Sequence, residues 1–149
     1  MLHDFVLVAT AEHSPADYLQ LLHHPNAIHV HDDVLHYIGD SLTWIPSLNP
    51  ATGKHGHGLN FYGPTAVLVD GAAVAARVFK AWAGVFKLGP SDLVLTGSWT
   101  MVEGDPSAGA YERFRSSRDD LVTAFENIAV WCDLVEGSAG ARFLMHLGI

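Results

Sequence analysis

Three histidines, His29, His31 and His36, are the residues of this chain whose spacing is best suited to chemistry. Ile28-His-Val-His31 and Val34-Leu-His-Tyr-Ile38 flank Asp32-Asp33, a pattern that reads as a β-hairpin with the two aspartates as its turn. In that register Ile28, Val30, Leu35 and Tyr37 share one face, and His29, His31 and His36 share the other. Imidazoles at i and i+2, joined by one across the strand pair, would bring three nitrogens to one ion and leave a position open, as a catalytic zinc requires. His57 would add a ligand, and Asp33 a ligand or an orienting partner. The competing reading is a solvated strand face, and a one-residue slip would scatter the rings.

The same segment lies in a stretch of unusual charge. Residues 1–53 hold seven histidines and six carboxylates, and the first basic side chain is Lys54. The whole chain carries 8 Lys and Arg against 16 Asp and Glu, a formal net charge of −8. Such a surface suits a cationic partner or a metal ion; it argues against nucleic acid or an anionic membrane. Asp32, Asp33 and Asp40, with the aromatic pair Phe61 and Tyr62, are the residues expected to meet a basic partner.

Those side chains must be positioned by a fold, and the composition is that of a folded one. The chain of 149 residues is 49% hydrophobic and 16% charged, which predicts a single globular domain over 1–149 with its own core. The one cysteine, Cys132, excludes an intrachain disulfide framework. The opening Met1-Leu2-His3-Asp4 and the short apolar run after it do not read as a signal peptide. No segment approaches the 18 or so apolar residues of a membrane span. A soluble, cytoplasmic protein is the expectation.

Along the chain, Phe5–Thr10 reads as a buried strand, and Ser14-Pro15 opens a helix that stops before Pro25. Leu42–Ile45 reads as a further strand, and Pro46 to Pro64, rich in Pro, Gly and Asn, as a long loop that carries His55, His57, Phe61 and Tyr62. Thr65–Val69 returns to strand. Asp70 caps a helix over Gly71–Leu88 with Val74, Val78, Trp82 and Val85 on its core stripe, joined by Ala75, Phe79 and Phe86. Leu93–Val102 is a strand bent at Gly97, followed by a loop over Asp105–Gly109. Ser117 opens the last helix, with Asp120 at its third position and a stripe of Leu121, Phe125, Ile128, Cys132 and Val135 ending at Gly137. Phe143–Leu147 is a final strand. Strands and helices mix without a βαβ rhythm, so the expected class is α+β: a mainly antiparallel sheet with about three helices packed on it.

Other features add little chemistry. Cys132 sits on a core stripe and reads as an inert thiol. Arg113, Arg115 and Arg118 form a small basic cluster that could grip a carboxylate or phosphate. No nucleophile elbow, phosphate loop, dinucleotide fingerprint or Cys-x-x-Cys pair is present. The string His29-Val-His31-Asp-Asp33 is similar over five residues to the His-x-His-x-Asp-His ligand motif of the metallo-β-lactamase superfamily. Val34 stands where the closing histidine would be, and the chain is short for that sandwich fold, so the resemblance assigns nothing.

Three functions follow as expectations. The first is a small acidic cytosolic protein that binds a protein with a basic surface, in the manner of an immunity protein or antitoxin-like inhibitor. The second is a metal-binding protein or metal-dependent enzyme, with zinc on His29, His31, His36 and His57. The third is a structural component, a homo-oligomer that packs through Asn60, Phe61 and Tyr62.

Overall fold

The computed structural model of the chain describes residues 1–148. The fold is α+β, with a six-stranded antiparallel sheet and a separate two-stranded ribbon. The strands are β1 (Leu2–Ala9), β2 (Ile28–His31), β3 (Pro46–Asn49), β4 (Lys54–His57), β5 (Gly63–Val67), β6 (Asp92–Val102), β7 (Asp105–Ser117) and β8 (Arg142–Gly148). The helices are α1 (Asp32–Tyr37), α2 (Gly39–Leu42), α3 (Val69–Phe86) and α4 (Arg118–Glu136). The sheet runs β2-β1-β8-β5-β3-β4, and β6 pairs only with β7.

β8 lies inside the sheet between β1 and β5, and Phe143 to Leu147 are all buried. This explains an apolar run without alternation: both faces of the strand are covered. On one face Phe5, Val30, Val67 and Leu144 pack against α3 and α4. On the other, Val6, Val8, Phe143, Met145 and Leu147 pack beneath Leu21 and Tyr18. The helix expected from Ser14-Pro15 is a 3-10 segment, Pro15–Leu21, at whose start the Asp17 carboxylate accepts from both the Ser14 N–H and the Ser14 hydroxyl.

The two long helices meet through Phe79, Phe86 and Phe125, with ring centroids 5.2 and 5.6 Å from Phe125. Every residue of the expected α4 stripe is buried, and the Asp120 N–H donates to Ser117 Oγ at 3.3 Å. On α3 the expected Ala75, Val78, Phe79 and Phe86 are buried, with Ala72, Ala76 and Ala83 beside them, and Val74 and Trp82 pack partly buried against the core; Val85 alone of the expected stripe is exposed. Leu68, not Asp70, precedes the first turn; Asp70 lies within it, at the positive end of the helix dipole.

Four other expectations are corrected. The 28–38 segment is not a hairpin: β2 ends at His31, and Asp32 begins α1. Asp-Asp has no glycine for the φ > 0 positions of a tight hairpin turn, while two acids suit a helix's first turn. Leu42–Ile45 is helical turn rather than strand. The 46–64 loop contains the β3–β4 hairpin, whose turn the Asn49 side chain holds by accepting from the N–H groups of Ala51 and Thr52. The 105–109 loop belongs to β7, while the bend near Gly97 is present as a register shift between Thr96 and Trp99.

Candidate functional site

Because residues 32–44 coil instead of pairing as strands, they present a short acidic and aromatic rim. A depression of about 310 Å³ is lined by His36, Tyr37 and Ile38 of the first turn, by Asp40, Ser41 and Trp44 of the second, and by Trp82 of α3. Trp44 is 65% exposed and Tyr37 45%, and Asp40 is exposed beside them. The floor is fixed. Trp82 Nε1–H donates to Ser41 Oγ at 2.9 Å, and the Ser41 hydroxyl donates to the Ile38 carbonyl at 2.7 Å. Tyr37 meets Trp82 edge-on with centroids 5.8 Å apart. A carboxylate beside several aromatic faces attracts an ammonium or guanidinium group through charge and ring quadrupole together.

A ring stack leads from this rim into the core. His36 lies against Phe61 at 4.1 Å, Phe61 meets the edge of His3 at 5.3 Å, and His3 stacks on His146 at 5.1 Å. His3 Nδ1 and His146 Nε2 are 2.9 Å apart, and both rings are buried. Gly148 permits this packing: a Cβ there would meet the Asn60 and Phe61 carbonyl oxygens at 2.2 and 2.4 Å. Burial, with the neighbouring His3, pushes the His146 imidazole down to about 3. Burial likewise lowers His3, outweighing the pull of Asp32 and Asp4 and aided by His36 and the Met1 ammonium. The pair is therefore neutral near pH 7. His146 Nδ1 has no hydrogen-bond partner among the described residues. The tautomer that avoids burying an unpaired N–H has His146 Nε2 donating to His3 Nδ1.

The histidines expected to share an ion do not converge. His29 Nδ1 faces Asp4 Oδ1 across the β1–β2 pair at 2.7 Å. His31 precedes α1, where its Nδ1 accepts the Asp33 N–H at 3.2 Å while its ring stacks on Phe114. His36 stacks on Phe61, and His57 sits exposed on the edge strand β4. Among the described residues, the one group of three with ligand atoms within 4.8 Å of one another is His31, Asp32 and Asp33. Partial burial pushes the Asp32 carboxyl up. The Met1 ammonium 3.1 Å away, His31 and the Asp33 N–H outweigh that and hold it below the ordinary range.

The residues expected to meet a partner divide. Asp32 and Asp33 are half-buried, Asp33 against Gly97 of the ribbon, and Phe61 is engaged in the ring stack. Asp40 and Tyr62 are exposed. Among the described residues no lysine or arginine pairs with an acid of residues 1–53: Lys80 pairs with Asp133, Lys87 with Glu126 and Arg118 with Asp119. The Met1 ammonium sits on Asp32, and the other leading acids have no lysine or arginine partner among the described residues.

Sequence reasoning missed Trp44 and the His3–His146 pair. For Trp44 the signal was its place four residues after Asp40, which a helical reading would have put on one side. For His146 it was the position itself, the fourth residue of an apolar strand read as buried. No protein-family model matches the chain, and no curated protein and no solved structure matches it significantly.

Proposed function

We propose that this chain is a small acidic binding protein that acts by docking a basic protein, as an immunity or antitoxin-like inhibitor does. The observation that carries the reading is the rim of Tyr37, Asp40, Trp44 and Trp82, an exposed carboxylate among aromatic faces, set in a region whose acids pair with no lysine or arginine among the described residues. An arginine or lysine of the partner enters the depression and the remaining acids steer its approach. The test is the association rate of a basic partner that co-purifies with the chain. The rate is expected to fall about tenfold or more between low and high salt, since steering contributes ~10–10³-fold. A salt-independent rate counts against the reading.

A second reading, metal binding, rests on the grouping of His31, Asp32 and Asp33. A cation there competes with the Met1 ammonium for Asp32 and with the Asp33 N–H for His31. Metal analysis of untagged protein decides: retained transition metal lost in His31→Ala supports it, and none retained, with no rise in melting temperature on adding zinc, removes it.

A further inference from the structure

The antiparallel order of the sheet gathers three chain segments at one end. β8 begins at Arg142 between β1 and β5, and both neighbours end there, β1 into Thr10 and β5 into Leu68 and the start of α3. A depression of about 510 Å³ lies at this end, floored by Pro15, Leu68, Val69 and Phe143. Phe143 is fully buried, and Leu68 packs with it in the core on the sheet's second face. An apolar floor and a volume within about 300–1,000 Å³ are the properties of a small-molecule site. Asp70 and Arg142 line the same depression, and both are exposed. Among the described residues neither side chain makes an ion pair or a hydrogen bond, with the other or with any third group. The backbone that carries them is fixed. The Thr10 N–H donates to the Ala141 carbonyl at 2.9 Å, the Thr10 hydroxyl to the Gly140 carbonyl at 3.3 Å, and the Arg142 N–H to Ser138 Oγ at 3.1 Å. Asp70 stands in the first turn of the 18-residue α3.

We propose that this depression binds a free α-amino acid with an apolar side chain. The argument is a three-part match between lining and ligand. The Arg142 guanidinium takes the α-carboxylate, with the fork geometry that suits two oxygens. The Asp70 carboxylate takes the α-ammonium, and the apolar side chain lies on Leu68 and Phe143. In an amino acid the two charges sit on neighbouring atoms. The receiving side chains must therefore share one depression without closing on each other, as Asp70 and Arg142 do. Other ligand classes fit less of the lining. A fatty-acid anion brings its carboxylate beside Asp70 with no charge to offset the repulsion, a neutral apolar molecule leaves both charges unused, and a phosphate ester gains nothing from the floor.

Magnitudes divide the labour between the parts. Removing a leucine-sized side chain from water strengthens binding about tenfold to a hundredfold, while an exposed ion pair contributes about fivefold or less. The floor therefore supplies the affinity, and the two charges choose the ligand. The site shares no lining residue with the α1–α2 rim and stands whether or not that rim binds a basic partner.

Titration of the ¹⁵N-labelled whole chain with L-leucine to about 10 mM, following the amide resonances of Thr10, Val69 and Gly140, tests it. The expected result is saturable shifts at these three positions. Free glycine, without the apolar part, should bind about tenfold or more weakly, and leucinamide and N-acetyl-leucine, each without one charge, a few-fold more weakly. Two variants assign the charges. Arg142→Gln should bind leucine and leucinamide alike while still preferring leucine to N-acetyl-leucine, and Asp70→Asn should do the reverse. A merely structural role for either residue would weaken every ligand in proportion and leave those preferences intact, which overturns the proposal. No saturable shift with leucine, equal binding of the three leucine compounds by the unmodified chain, or octanoate binding in place of leucine also overturns it, the last in favour of an anionic amphiphile.

Discussion

Acidification should weaken this protein through one ring more than any other. His146 is wholly buried in the central strand, and its imidazole is pushed from 6.5 down to about 3. In the unfolded chain the same ring protonates near its ordinary value. Between pH 6.5 and 3 the unfolded state therefore binds a proton that the folded state refuses. The neutral ring's full contribution is present above 6.5 and is lost as pH falls through that window. Each unit in the window is worth about 1.4 kcal/mol, so lowering pH from 7 to 5 removes about 2 kcal/mol through His146 alone. For a chain of this length that is a melting-temperature loss of roughly 4–8 °C. Urea unfolding at pH 7, 6 and 5 would measure it as a falling midpoint at constant slope. The control is His146→Gln, which hydrogen-bonds but does not titrate in this range. Its absolute stability will be lower, but the wild type should lose about 2 kcal/mol more than the variant between pH 7 and 5. Parallel pH profiles for the two proteins would refute the assignment.

Other outcomes follow from the packing. Phe125 is fully buried against Phe79 and Phe86, and Phe125→Ala should cost about 3–5 kcal/mol by chemical denaturation, with its partners left around a cavity. Cys132 is buried, and its thiol is pushed up to about 12 by that burial, so iodoacetamide should label it only after denaturation. Ser117→Ala removes the oxygen that receives the Asp120 N–H and should lower stability by about 0.5–2 kcal/mol, measured in the same urea titration.

How much of this was legible in the sequence depends on which interaction fixed each element. The α4 helix could be read end to end, because its serine cap, its acidic first turn and its apolar stripe are local signals that agree. β8 and the β6 bend were legible for the same reason. The 28–38 segment was not, because its alternating pattern fits a strand and a short helix alike. What decided it, the His31 side chain accepting from the Asp33 N–H and Leu35 and Ile38 turning into the core, is tertiary as much as local. Moving Asp32 from a turn to a helix start separated the three histidines and created the rim of Tyr37, Asp40 and Trp44. The β3–β4 hairpin was hidden by its glycines and prolines, since its register comes from pairing with β5 and from the Asn49 turn. The His3–His146 contact joins residues 143 positions apart, beyond any periodicity.

The central claim, that the α1–α2 rim receives a cationic side chain, is tested most directly by titrating ¹⁵N-labelled protein with N-acetyl-arginine methylamide and following the indole N–H resonances. The account predicts saturable shifts at Trp44 and Trp82, weakened in Asp40→Asn and absent at Trp82 in Trp44→Ala, with no response to the glutamate analogue. Shifts spread evenly over the surface, or equal with the glutamate analogue, would contradict it.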